Sequence, residues 1–143
     1  MEVVRNEKST SYIYQNGILE VYDNGIIVGL ENPDWDQPET PETVRNAAKI
    51  AQKIVGDNIH GMLYLPAGKT HYKRELVKAY FEVDIGHKAE AFVVESFGSR
   101  LLASLVVKFS NSDIPKKVFS NREEAEKWLL KEILKAKLQR GKK

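Results

Sequence analysis

Gly68-Lys69-Thr70 is the tripeptide whose residue types and placement come nearest to known chemistry, because a phosphate-binding loop ends in Gly-Lys-Thr where a strand turns into a helix. The rest of that motif is missing. Its first glycine would fall on Leu63, inside an apolar run, and the turn is too short to wrap a triphosphate. What survives is a basic helix start: Lys69, His71, Lys73 and Arg74 crowd a point where unpaired amides already favour an anion. Ser99-Arg100 opens another expected helix at the same edge of an open sheet, the edge where ligands usually bind. Gly68, Lys69, Thr70, Ser99 and Arg100 are therefore the candidate anion or ligand site. A solvated basic turn is the competing account of the same residues.

Other reactive side chains are less organised. Asp34, Asp36 and Glu39 could offer oxygen to a hard cation, but they lack the spacing and glycine turn of a calcium loop and read as solvated surface. His60, His71 and His87 sit at unrelated places, each expected to play a local role. Serines 96, 99, 104, 110, 112 and 120 have no nucleophile-elbow context. With no cysteine, disulfides, thiolate zinc sites and cysteine nucleophiles are all excluded. No catalytic residue, cofactor or metal is expected. Trp35, in a proline-rich loop, is a candidate partner contact, with a lid over the domain edge as the alternative.

The elements that must position these residues are legible from pattern. At 143 residues, 42% of them hydrophobic, the chain suits one domain. Tyr, Ile and Val cluster from Ser11 to Leu30 around Asn16-Gly17 and Asn24-Gly25, which predicts two hairpins with type I′ turns and three antiparallel strands. Glu31–Glu42 holds three prolines, five acids and no base, which is loop chemistry. Thr40-Pro41 starts a helix that Gly56 ends. Strands follow at Gly61–Leu65, Ala89–Glu95 and Lys116–Phe119, with helices over Thr70–Phe81, Ser99–Phe109 and Asn121 to about Leu138. Ser120 and Glu123 stand at capping-box spacing for the last of these.

Charge divides unevenly. Residues 131–143 carry six basic groups and one acid, while the other 130 residues hold sixteen basic against nineteen acidic, a mildly acidic body. The folded core is expected over residues 10–134 and a basic tail over 135–143, its lysines suited to the negative end of a helix dipole. The polar start resembles no signal peptide and no apolar run is long enough to span a membrane, so a soluble, cytoplasmic protein is expected.

The order of elements, with Ala89–Val94, Ser99-Arg100, Pro115–Phe119 and Ala125 with Trp128-Leu129, resembles the STAS-like fold of anti-sigma-factor antagonists, and more closely its SpoIIAA-like bacterial branch, over roughly Tyr12 to Ile133. The resemblance implies an α/β domain with a mixed sheet, antiparallel opening strands and about four helices. It also implies a phosphorylatable serine in the turn that here reads Pro66-Ala67-Gly68-Lys69-Thr70, where no Asp-Ser pair occurs and Thr70, the one hydroxyl, serves as a helix cap. The function implied is a non-catalytic regulatory or protein-interaction module, forming a homodimer through sheet or helix surfaces, with no nucleic acid expected. A carrier of a small apolar or lipid-like ligand is the alternative, to be told by a cavity beneath the second and third helices. An enzyme acting on a phosphorylated molecule at Lys69-Thr70 comes third.

Overall fold

The computed structural model describes residues 1–65, 79, 82–83, 85–94, 96 and 113–141. Four strands open the chain as an antiparallel meander: β1 (Glu2–Arg5), β2 (Ser9–Ile13), β3 (Gly17–Tyr22) and β4 (Ile26–Glu31). Helix α1 (Pro41–Val55) follows, then β5 (Gly61–Tyr64), β6 (Glu90–Val93) and β7 (Lys116–Phe119), and finally α2 (Arg122–Gly141). β4 to β7 pair parallel, so a single seven-stranded sheet runs in chain order from β1 to β7.

Both hairpins form, but not with type I′ turns. No non-glycine residue has positive φ among the described residues, and Gly17 sits in β3 with ordinary φ. At the second hairpin the Gly25 amide donates to the Tyr22 carbonyl at 3.1 Å, so the central residues are Asp23 and Asn24 and only Gly25, at φ 96°, is left-handed. This is the three-residue loop in which an ordinary turn is followed by a left-handed glycine. Asn24 accepts from the Ile26 amide at 3.0 Å, which closes it.

The helices cover opposite faces, as the two-residue alternation of the strands requires. Ile26, Val28, Leu63, Ala89, Ala91 and Val93 pack with Ala125, Leu129 and Ile133 of α2. Leu19, Ile27 and Met62 pack with Ala51 and Val55 of α1. α1 begins as the sequence says: Thr40 Oγ1 accepts from the Thr43 amide at 3.2 Å, Thr43 Oγ1 accepts from the Thr40 amide at 2.8 Å, and Gly56 caps the other end. α2 is capped one residue later than expected. Asn121 Oδ1, not Ser120, accepts from an N-terminal amide, that of Glu124 at 2.9 Å.

The STAS-like fold class with about four helices is corrected by this architecture. Among the described residues the chain is α/β, but with seven sheet strands and two helices. The opening is a four-stranded meander where three strands were expected. The extra strand, β1, escaped sequence reading because it lies at the sheet edge, exposed along its length, and so needs no buried face. The helices expected over Thr70–Phe81 and Ser99–Phe109 lie outside the described residues, apart from Ala79, which is buried against Val44 of α1. Among the described residues no helix is long and apolar enough to cross a membrane.

Candidate functional site

The expected anion or ligand site, Gly68, Lys69, Thr70, Ser99 and Arg100, lies outside the described residues, as does His71. Trp35 is described: its amide donates to the Asn32 carbonyl at 3.0 Å, and the residue is half-buried within that turn. The acidic loop is spent on local structure. Asp36 accepts from Gln37 at 3.1 Å, and Glu39 accepts from the Thr43 hydroxyl at 3.2 Å and from Asn16 at 3.4 Å. Among the described residues no group of three or more His, Asp or Glu is placed to hold a metal ion.

Polar side chains gather instead at the amino ends of the parallel strands. His60 immediately precedes β5 and His87 stands three residues before β6, and the parallel register places Met62 opposite Glu90. Two histidines 27 residues apart therefore meet, His60 Nε2 lying 2.7 Å from His87 Nδ1 with the rings edge to face. His60 Nδ1 is 2.9 Å from the Asn58 carbonyl, which can only accept, so this nitrogen carries the proton. Nε2 of neutral His60 must then accept, and His87 donates through Nδ1. That leaves His87 Nε2 as a buried lone pair without a hydrogen-bond partner among the described residues. Desolvation holds both rings below the ordinary histidine pKa. For His87, with added repulsion from His60 and Lys116, the value falls to about 3.

Lys116, at the start of β7, is a second buried group with an unfilled donor. Its side chain is 4% exposed, and Nζ lies 3.9 Å from Glu90 Oε1, an ion-pair distance beyond hydrogen bonding. Beside the histidines, the C-terminal ends of α1 and α2 converge over the β3–β4 turn and border an open cleft of about 620 Å³. Ile27, Ile54 and Ile59 give it apolar walls, His60 also lines it, and Lys137 and Arg140 of α2 supply positive charge. Asp23 also borders the cleft, but Arg5 grips its carboxylate through both oxygens at 2.7 and 2.8 Å. The sequence offered no sign of this site. Lys137 and Arg140 look like a solvated helix end, and the histidines look unrelated until strand register is known.

Residues 69–133 match the family model of a domain of unknown function, DUF7793, which covers somewhat under half the chain, including β6, β7 and most of α2. No curated protein and no solved structure matches the chain.

Proposed function

We propose that this protein is a non-catalytic, cytoplasmic interaction module whose docking face is the outer side of α2 and whose first partner is a second copy of itself. The observation that carries the reading is a stripe of leucines on the wrong side of the helix. Ala125, Leu129 and Ile133 are buried against the sheet, yet Leu130, Leu134 and Leu138, spaced by four, are 39%, 57% and 59% exposed. Single exposed leucines are ordinary, whereas three along one helix face form a continuous apolar ridge.

Charge favours an antiparallel pairing of two such ridges. Glu123, Glu124 and Glu126 outnumber Arg122 and Lys127 in the first turns of α2, and Lys131 and Lys135 outnumber Glu132 beyond them. Antiparallel helices bring the acidic start of one copy toward the basic end of the other, while parallel helices would align like charges. The absence of cysteine suits a reducing compartment. A non-catalytic role fits the histidine pair, since His87 takes up the His60 lone pair and the one left on His87 Nε2 is buried on a ring whose pKa falls to about 3, too weak a base for neutral pH.

Sedimentation velocity over a range of protein concentrations tests the reading. A dimer that Leu134→Glu converts to a monomer, with an unchanged circular dichroism spectrum, supports it. A wild-type protein that stays monomeric throughout, or a dimer that survives Leu134→Glu, overturns it.

A further inference from the structure

We infer that the cleft between the ends of α1 and α2 is a binding site for a small amphipathic carboxylate, its chain against Ile27, Ile54 and Ile59 and its carboxylate held by Lys137 and Arg140. A volume of about 620 Å³ is ample for such a molecule and lies within the range of small-ligand sites. The walls combine two chemistries that a single ligand must satisfy. Ile27 and Val55 are buried in the floor, and Ile54 and Ile59 are partly exposed beside them, a surface that gains from covering by hydrocarbon.

The charge at the rim is positive and available. Neither Lys137 nor Arg140 forms an ion pair among the described residues. The one hydrogen bond shown for Arg140 runs from Nη1 to the Asp57 carbonyl at 3.3 Å, which fixes the guanidinium at the cleft and leaves its other donors for a ligand. Asp23, the acid that lines the cleft, is held by Arg5. Helix C-termini ordinarily repel anions, but the end of α1 is closed: the Gln52 carbonyl accepts from the Gly56 amide, and the Val55 carbonyl accepts from the amide and the side chain of Asn58. An inorganic anion would leave the isoleucines uncovered, and a neutral hydrocarbon would leave the two cations without a counter-charge.

The site is separate from the leucine ridge, so the two can fail independently. Octanoate, octanol and inorganic phosphate, titrated at millimolar concentration into the full-length protein and followed by amide chemical shifts, distinguish the possibilities. Octanoate is expected to give saturable shifts at Asn58, His60 and Arg140, with octanol binding about tenfold or more weaker, as loss of a charge-assisted contact requires. Lys137→Gln with Arg140→Gln should weaken octanoate by a similar factor, and Leu134→Glu should leave it unchanged. Absence of saturable shifts with octanoate, equal binding of octanol, or saturable binding of phosphate as tight as octanoate would each overturn the assignment. Should the double variant unfold, Ile54→Glu, at the partly exposed wall, must abolish octanoate binding for the assignment to stand.

Discussion

His60 Nε2 and His87 Nδ1 are 2.7 Å apart inside the protein, a hydrogen bond that exists only while His60 is neutral. The proton on His60 Nδ1 is fixed by the Asn58 carbonyl, and His87 must donate in turn. A further proton on His60 would set two N–H groups against each other. Lys88 adds to the penalty at His60, and Lys116 adds to it at His87.

Stability should therefore fall with acid earlier than carboxylates alone would cause. Both histidines have folded pKa values below the unfolded value of 6.5. Above pH 6.5 neither state takes up the proton and the full stability is present. Below it the unfolded chain binds protons that the native state refuses, down to about pH 3 for His87. For His87 the loss is about 1.4 kcal/mol per pH unit in that window, and His60 adds to it in the same direction. Urea unfolding from about pH 7 to about pH 5 should show this slope. His87→Asn, which keeps a donor near the Nδ1 position, should reduce it by about one histidine's share. An identical slope in the variant would show that His87 is protonated in the native state.

The cap of α2 gives a sharper local test. Asn121 Oδ1 accepts from the Glu124 amide, whereas Ser120 forms no comparable bond to the helix start among the described residues. Asn121→Ala should cost about 1 kcal/mol in urea unfolding, and Ser120→Ala no more than a few tenths. The reverse order would mean that the helix begins a residue earlier than the hydrogen bond indicates.

The cap also shows what the sequence could convey. Thr40-Pro41 and Gly56 bound α1 by local chemistry, and both are read correctly from the residues alone. Lys116–Phe119 is a strand with the expected limits. At α2 two capping residues stand side by side, Ser120 and Asn121, and only backbone geometry chooses between them. β1 was hidden because Val3 and Val4 both stay exposed at the sheet edge, so no buried face marks the strand. The histidine pair was hidden for another reason: contact between residues 27 positions apart depends on the parallel register of β5 and β6, which no local pattern encodes. The turns that drew attention in the sequence, Gly68–Thr70 and Ser99-Arg100, lie outside the described residues. The side chains whose contacts are described gather at the amino edge of the parallel strands.

Gly61, the first residue of β5, brings that edge close against α2. A Cβ added there would lie 3.0 Å from Leu129 Cδ2 and 3.3 Å from Ile133 Cδ1. Neither neighbour can yield easily, for Leu129 is fully buried and Ile133 almost so, both wedged between the sheet and their own helix. The glycine thus sets how near the helix lies to β5, and with it where Lys137 and Arg140 stand over the cleft. Gly61→Ala should destabilise by about 1–3 kcal/mol through overpacking. Leu129→Ala should cost about 2–5 kcal/mol through the cavity it leaves. Because the added methyl would enter space that the lost leucine vacates, the double variant should be more stable than the two single losses predict, by about 0.5 kcal/mol or more. Chemical unfolding of all four proteins measures this coupling. Strict additivity would mean that α2 shifts as a rigid body to accept the methyl added by Gly61→Ala, and the spacing between helix and strand would then be set elsewhere along the Ala125–Ile133 face.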